Sequence, residues 1–415
     1  MSQLREISSP PTDLAATARR LANEIFAPRA AIWDRERRYC HDNIPVLLEH
    51  GLMGMTLPTA LGGRGASFLE TVRVIEEIAR ACTLTARIVV EANMGAVSAV
   101  MAYGTPEQRR LAAARVLAGD KPAICITEPE AGSAATEMTT TARREGNVWR
   151  ISGRKHWITG GGVSRLHLIF ARVLGPDGRS EGIGGFLADI DPASPPPGYR
   201  VVRRERTMGL CGMPEAELAF DGLEIPEDQV LVPPDGFARG FAQLMNAYNS
   251  QRVGAGTVAL GIAVGATERA RDYLLEREQF GRPLAEFQGL QWMLADMDTS
   301  LTAARLLLHE AARSRGPNGS AFPEPAMAAR AKLFASETAI KVVSDALQMF
   351  GARGYGAEEP IERMYRDVRM FTIGGGTAQV LRTQIASSVL GMRLPQTRDG
   401  YRRLAEASAP RHAAE

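Results

Sequence analysis

The hydrophobic pattern of the chain changes twice along its length, and these changes constrain the fold more than any other feature. Up to about residue 120, apolar residues recur every three or four positions, as in DLAATARRLANEIFAPRA and FLETVRVIEEIARAC, which is typical of amphipathic helices. Short β-rich runs follow, NVWRISGRKHWIT, LHLIFARV and GIGGFLADI, separated by turn residues. Long helical segments such as LQWMLADMDTSLTAARLLLHEAARSR then return. The pattern predicts a mostly α protein with a small β domain: helices over 1–120, a β domain over 121–234, an antiparallel helical bundle over 235–395 and a fraying tail over 396–415.

The charge balance and the spacing of cysteines and histidines narrow the choice of partners. The 415 residues include 49 Lys and Arg against 47 Asp and Glu, a formal net charge of +2. We therefore expect no nucleic acid partner and no attraction to anionic membranes. The four cysteines form no CxxC motif, and the six histidines show no ligand spacing. Reduced thiols and no bound metal are the corresponding predictions.

Two segments of the sequence indicate where in the cell the protein is expected. The N-terminal MSQLREISSPPTDLAATARR has no apolar core followed by a cleavage site, so no secretory signal is expected and the protein is predicted to be cytoplasmic. The segment VGAGTVALGIAVGA, residues 253–266, is shorter than the roughly 18 residues of a membrane span, and a buried helix explains it better. It contains G-x-G-x-x-A, but it follows a helical pattern and not a strand, so we expect no Rossmann fold.

Four stretches, in this order, resemble the acyl-CoA dehydrogenase family: CITEPEAGSAATEM (125–138), KHWITGGG (155–162), EREQFGRPLAEFQG (276–289) and QMFGARGYG (348–356). With GTAQ at 376–379 they cover nearly the whole chain. The resemblance implies an N-terminal helical domain, a middle β-barrel-like domain and a C-terminal four-helix bundle around FAD. It also implies a CoA thioester substrate and a homo-oligomer, most often a tetramer.

Two of these stretches carry residue types suited to a flavin. Small residues in ITEPEAGSA, among them Thr127, Gly132 and Ser133, let backbone N–H groups approach a ligand, although an ordinary turn has the same composition. Trp157 and Thr159 alternate onto one face of a predicted strand. There an indole can lie against a flavin ring while a hydroxyl bonds to its edge, and a core tryptophan is the alternative.

Arg277 has a guanidinium that suits a pyrophosphate, and an arginine in solvent at a helix end is the alternative. The resemblance adds further residues to the FAD site, partly across a subunit boundary, so that a neighbouring chain completes it. The residues expected at FAD are Cys125, Ile126, Thr127, Gly132, Ser133, Trp157, Ile158, Thr159, Arg277, Phe280, Phe287, Gln288, Gln348, Gly351, Ala352, Thr377 and Gln379.

The catalytic carboxylate of the family is missing. Dehydrogenation of an acyl thioester needs a carboxylate to remove the α-proton while the flavin accepts a hydride. The resemblance places this Glu either at Gly375 or at Gln251, directly before Arg252. Neither residue can remove a proton, and a base from a third position is the alternative. Gly374, Gly375 and Gly376 are expected to leave room for water and an anionic group instead.

Arg87 interrupts the small, apolar helix ARACTLTARIVVEANMGAVSAV, which by resemblance lines the acyl pocket. A buried unpaired cation is costly, so Arg87 favours an acyl group that ends in an anion. A surface ion pair with Glu91 is the alternative. We expect Arg87 to be catalytic and to bind the acyl anion. The resemblance assigns CoA and the thioester to Ser133, Tyr248, Asn249 and Arg252.

Four further stretches, KPAICITEP, WITGGGVS, QRVGAG and LRTQIASSVLGMRLPQTRDGY, resemble one branch of the family. In that branch a short sulfinated acyl-CoA reacts with water and releases sulfite, which implies cleavage of a carbon–sulfur bond by a flavoprotein without the usual Glu. Two alternatives remain: a dehydrogenase of a short dicarboxylyl-CoA, and a catalytically inactive flavoprotein that binds CoA esters. Reduction of an electron acceptor would identify the first, and the absence of any turnover the second.

Overall fold

The structure is a computed structural model that describes residues 13–314, 322–397, 399–402 and 404. The N-terminal part is helical, and polar side chains begin several of its helices. The carboxylate of Asp13 accepts hydrogen bonds from the first turn of one helix, and Thr105 forms a capping box with Gln108 on another. The helices are α1 (Leu14–Leu21), α2 (Ala27–Glu36), α3 (Ile44–Glu49), α4 (Phe68–Ala79), α5 (Thr83–Asn93), α6 (Ala96–Tyr103) and α7 (Pro106–Leu117).

The middle of the chain forms an eight-stranded sheet with its own apolar core. Its strands are β1 (Ala123–Cys125), β2 (Thr141–Glu145), β3 (Val148–Thr159), β4 (Leu166–Leu174), β5 (Ser180–Asp189), β6 (Tyr199–Arg204), β7 (Glu215–Pro226) and β8 (Val230–Leu231). The order is β6-β7-β3-β2-β4-β5-β8, and β1 pairs in parallel with β4. Strands β3 and β7 are antiparallel, and their register places Thr159 opposite Glu215.

The C-terminal part is a helical bundle that shares one apolar core with the N-terminal helices. Its helices are α8 (Gly240–Glu276), α9 (Gln288–Arg313), α10 (Pro325–Phe350), α11 (Pro360–Val368) and α12 (Ala378–Leu390). A hairpin of β9 (Glu278–Gln279) and β10 (Arg282–Pro283) joins α8 to α9. Helix α8 packs against α4, α5, α9 and α10, so it connects the two helical parts.

Glycines allow α8 to approach its neighbours closely. A Cβ added at Gly254 would lie 2.7 Å from the sulfur of Met94, and one at Gly261 would lie 2.5 Å from the Cβ of Ala79. At Gly265 it would lie 2.2 Å from a backbone oxygen of Arg80. The prediction of a buried helix over 253–266 is therefore confirmed, and its glycines serve helix packing instead of a dinucleotide turn.

The prediction of a mostly α protein with a small β domain is confirmed. The stretch Thr83–Tyr103 is long and apolar enough to cross a membrane, but 89% of its most apolar window is buried inside the protein, so core packing accounts for its composition. Among the described residues, no three His, Cys, Asp or Glu side chains group as a metal site requires. The tail predicted over 396–415 lies largely outside the described residues.

Candidate active site

Arg87 lies inside the protein beside two other charged groups. It is 7% exposed and belongs to α5, in which every residue is buried. Its Nη2 donates a hydrogen bond to Oε1 of Glu91 at 2.5 Å, and the ammonium of Lys121 donates to the other oxygen of the same carboxylate. The pair with Glu91 that sequence analysis held as an alternative therefore forms, but in the interior and not on the surface.

The group of Arg87, Glu91 and Lys121 keeps a net positive charge, because two cations share one carboxylate. The Nε of Arg87 is buried, and it has no hydrogen-bond partner within the described part of the chain. A buried donor without a partner costs about 1–3 kcal/mol. An anionic ligand at Arg87 would recover this cost, so the geometry suits the end of an acidic acyl chain.

Sequence analysis missed Glu215, which belongs to the same site. The hydroxyl of Thr159 donates to its carboxylate, with oxygen–oxygen distances of 2.8 and 3.0 Å. Burial raises the pKa of Glu215 to about 7, and the nearby charge of Arg87 lowers it in part. Thr159 and Glu215 are 56 residues apart in the sequence, so their contact could have been predicted only from the register between β3 and β7.

Arg252 is adjacent to both positions at which the family's carboxylate is missing, Gln251 and Gly375. Its Nε donates to the backbone oxygen of Gly375 at 3.4 Å, and Gln251 precedes it on α8. Gly375 and Gly376 have φ values of 74° and 93°, which side-chain-bearing residues rarely adopt. Gln251 is 5% exposed, and its Oε1 lacks a hydrogen-bond partner in the described residues.

Two of the three glycines have room for an added Cβ, and at Gly376 the nearest atom to it is Cδ2 of Leu381 at 3.5 Å. At Gly375 the nearest described atom to an added Cβ is Cε of Lys332, 3.9 Å away. At Gly374 the sulfur of Met370 would lie only 2.7 Å from it, so the expectation of free room is wrong at that position. The Nζ of Lys332 donates to the backbone oxygen of Gly376 at 2.7 Å and holds this loop in place.

The residues expected at CoA and the thioester are gathered mainly on α8. Asn249 accepts a hydrogen bond from Nη1 of Arg252 at 2.8 Å. Tyr248 is half-buried, and burial raises its pKa while the charges of Arg87 and Arg252 lower it. Ser133 is exposed on the loop between β1 and β2. Three of the four residues thus lie on one helix that faces the Arg87 group.

A buried ion pair fixes the loop that carries Thr127, Gly132 and Ser133. Lys155 donates to the carboxylate of Glu128 at 2.9 Å, and two backbone N–H groups after the loop donate to the same carboxylate. A Cβ added at Gly132 would meet no described atom within 4 Å. The loop therefore presents open backbone at a fixed position, as a bound ligand requires.

Trp157 has an exposed indole near the end of β3. It is 53% exposed with φ of 58°, at a bulge where the register between β3 and β7 shifts. The hydroxyl of Thr159 lies two residues further, so this edge fits a planar aromatic ligand with polar atoms on its rim. Strand alternation turns the side chains of Ile158 and Cys125 into the β core, so only their backbone atoms can face such a ligand.

The other residues expected at FAD lie on the surface of the bundle. Phe280 is 93% exposed, and Arg277 has no side-chain ion pair within the described residues. Thr377 directly precedes α12 and caps it, because its hydroxyl accepts a hydrogen bond from the N–H of Val380 at 3.1 Å. The remaining exposed or half-buried members of this set are Phe287, Gln288, Gln348, Gly351, Ala352 and Gln379, and Ile126 is half-buried on the β domain.

Three family models match the chain: the acyl-CoA dehydrogenase N-terminal domain over 11–120, the middle domain over 123–223 and the C-terminal domain over 238–390. A relative from Variovorax paradoxus named 3-sulfinopropanoyl-CoA desulfinase is 58% identical over 96% of this chain and 99% of its own. One of the same name from Cupriavidus necator is 59% identical over 94% of this chain and 97% of its own. The solved structure of a glutaryl-CoA dehydrogenase from Mycobacterium smegmatis with FADH2 has a TM-score of 0.83 and 25% identity, covering 92% of this chain and 95% of that one.

Proposed function

The chain belongs to the acyl-CoA dehydrogenase family, and we propose that it converts 3-sulfinopropanoyl-CoA and water to propanoyl-CoA and sulfite. The observation that carries the proposal is the buried guanidinium of Arg87, which has an unpartnered Nε within the described residues and shares Glu91 with Lys121. A planar fork of N–H donors matches two sulfinate oxygens. The names of the relatives from two organisms support the same assignment.

The reaction accounts for the missing Glu. Loss of the sulfinate group removes no α-proton, so it does not need a carboxylate at Gly375 or Gln251. Carbon gains the electron pair that sulfur gives up, and water supplies the remaining oxygen and hydrogen. The overall reaction therefore balances without an external electron acceptor.

Membership of the family implies a flavin, and we propose that it is FAD. Trp157 would lie against the ring, Thr159 at its edge, and the loop of Thr127, Gly132 and Ser133 would offer backbone donors. Arg277 would bind the pyrophosphate. When bound, the flavin would supply a planar wall and a hydride acceptor at the site.

We further propose a homotetramer in the cytoplasm. Large apolar side chains are exposed on the bundle of a single chain, and surfaces of this kind mark protein contacts. They include Leu275, Phe280, Trp292, Leu306, Tyr355, Val389 and Leu390. The four cysteines are free, which fits a reducing compartment. Sedimentation of the purified protein tests the oligomeric state.

The test of function is incubation with 3-sulfinopropanoyl-CoA without an electron acceptor, followed by assays for sulfite and propanoyl-CoA. We expect both products in equal amounts. A parallel reaction with a short dicarboxylyl-CoA and a dye identifies a dehydrogenase if the dye is reduced. Turnover of neither thioester by protein with bound FAD would mean an inactive binding protein and would overturn the proposal.

A further inference from the structure

Glu215 has no role in the reaction as proposed so far, yet it is held firmly at the site. It begins β7, and the register with β3 fixes it opposite Thr159. Both of its oxygens lie within hydrogen-bond distance of the Thr159 hydroxyl, at 2.8 and 3.0 Å. The side chain is half-buried, whereas residues on either side of it along the chain are buried. Glu215 is therefore a partly exposed carboxyl that is held at a defined position.

The charges that face Glu215 come from three parts of the chain. Arg87 and Glu91 act from α5, and Lys121 acts from the segment before β1. Tyr248 lies close enough on α8 for the charge of Glu215 to affect it. Among the described residues the Glu215 carboxylate accepts hydrogen bonds from a neutral hydroxyl and not from a cation, whereas Glu91 is bound by both cations. Glu215 is thus the carboxyl of this group that is not committed to an ion pair.

We propose that Glu215 is the proton donor to the acyl carbon that loses the sulfinate group. The inference rests on the proposed desulfination. In that reaction Arg87 binds the sulfinate. A Cβ added at Gly160, the residue after Thr159, would lie 2.4 Å from Nζ of Lys121. Lys121 shares Glu91 with Arg87. The Thr159–Glu215 pair therefore lies next to the charged group that binds the sulfinate, and the charge of Arg87 acts on Glu215. Thr159 would orient the carboxyl toward this carbon.

The proton and electron changes balance. The C–S bond breaks with its electron pair left on carbon, and carbon takes the proton of the Glu215 carboxyl to complete a methyl group. Sulfur leaves as sulfur dioxide. Water adds to it and gives hydrogensulfite and one proton, which restores the carboxyl. In the overall reaction, the sulfinate and one water molecule give a methyl group and hydrogensulfite.

The surroundings leave a substantial fraction of this carboxyl protonated near pH 7. Burial raises its pKa to about 7, although the charge of Arg87 and the hydrogen bond from Thr159 offset part of the effect. A group that must be protonated to act loses tenfold in its active fraction for each pH unit above its pKa. The value of kcat/KM for sulfite release should therefore decline above about pH 7.

The test compares Glu215→Gln with the wild type for sulfite release from about pH 5.5 to about pH 9. The amide keeps an oxygen for the Thr159 bond but has no acidic proton, so we expect kcat to fall about 100-fold or more. Bound FAD and thermal stability should be retained. The matched control is Glu217→Gln, two residues along the same strand, where the buried carboxylate pairs with Arg154 at 2.8 Å, and near-normal activity is expected.

Each outcome decides the proposal. Near-normal sulfite release by Glu215→Gln, with the same decline above pH 7, would remove Glu215 from the reaction and leave the proposed function intact. If the wild type releases no sulfite, both proposals fall. If the wild type reduces a dye with butyryl-CoA and Glu215→Gln does not, Glu215 is the base of a dehydrogenase instead. Should the variant not fold, a flat wild-type profile between about pH 6 and about pH 8 would still overturn the proposal.

Discussion

Arg87 and Glu91 form an ion pair one helical turn apart inside the protein, with Nη2 and Oε1 2.5 Å from each other and side chains only 8% and 6% exposed. Lys121 binds the same carboxylate, so Glu91 is neutralised without Arg87. A surface pair at this spacing would contribute little to stability or function. In the interior, the second cation leaves the guanidinium available for an anionic acyl end.

Replacement of Arg87 should remove sulfite release. Arg87→Lys keeps the charge, but an ammonium cannot reproduce the planar fork that matches two sulfinate oxygens, so most activity should be lost. A charge-assisted hydrogen bond contributes roughly 1.5 to 3 kcal/mol, so Arg87→Ala should cost at least about tenfold in kcat/KM. Sulfite assays on variants with normal FAD content measure the effect.

The control for Arg87 is Glu91→Gln, which leaves the guanidinium in place. It removes the shared carboxylate from two buried cations, so we expect a lower thermal stability but retained sulfite release by the folded fraction. If Arg87 merely pairs with Glu91, the two variants will instead behave alike. Near-normal sulfite release by a folded, FAD-loaded Arg87→Ala variant would exclude Arg87 from the reaction.

The wild type should not oxidise butyryl-CoA, because neither Gly375 nor Gln251 can remove an α-proton. Gln251→Glu should introduce slight dye reduction, since residue 251 lies in a regular helix that accepts Glu. Gly375→Glu should restore less, because φ of 74° costs a side-chain-bearing residue about 1–2 kcal/mol. Robust dye reduction by the wild type would instead reveal a third base.

Flavin content should depend on Trp157 and Arg277. Trp157→Ala removes the exposed indole, and Arg277→Ala removes the guanidinium expected at the pyrophosphate, so both should lower the ratio of FAD to protein. Visible absorbance of the purified proteins measures this ratio. Arg179→Ala, in an exposed turn of the β domain, is the control and should remain yellow. Wild-type protein that is colourless and takes up no FAD would contradict the cofactor proposal.

Lys332 should make stability depend on pH. Burial and the charge of Arg252 lower the pKa of Lys332 to about 7, whereas an unfolded lysine has a pKa of about 10.4. Between these values the unfolded chain binds a proton that the native chain does not, so stability rises with pH by up to about 1.4 kcal/mol per unit. Below about pH 7 both states bind the proton, and this gain is absent.

The measurement is urea unfolding at several pH values for the wild type and Lys332→Met. The unfolding free energy of the wild type minus that of Lys332→Met should increase as pH rises from about 7 to about 10. Lys341→Met removes an exposed lysine of the same helix and serves as the control. Parallel curves for wild type and Lys332→Met over this range would show that Lys332 keeps an ordinary pKa in the native state.

Local patterns predicted the elements of the fold well. Alternation in NVWRISGRKHWIT identified β3, and the periodicity of LQWMLADMDTSLTAARLLLHEAARSR identified α9, because each pattern lies within one element. The glycines of 253–266 were also assigned to a buried helix, since the preceding residues were helical. Alternation predicted that Trp157 and Thr159 share a face, but it predicted neither the exposure of Trp157 nor the bulge at that point.

Contacts between distant residues could not be read from these patterns. Arg87 and Glu91 are four residues apart, so their pairing could be considered as an alternative from the sequence alone. Lys121 is 30 residues from Glu91, and its contact with the same carboxylate could not be read from local spacing. Glu215 was missed for the same reason, since its partner lies on another strand. Sequence gave no sign that Met370 fills the space beside Gly374.

The left-handed backbone at Gly375 bears on how such a protein evolves. A single base change converts any Gln codon to a Glu codon, and it converts a Gly codon to a Glu codon when the Gly codon ends in a purine, so both positions 251 and 375 can be one base change from a carboxylate. They differ in conformation, because helix α8 accepts Glu at 251 while the loop at 375 must rearrange first. A variant that regains dehydrogenase activity should therefore carry Glu at position 251. A catalytic Glu at position 375 would be harder to regain, because the backbone of the loop must change first.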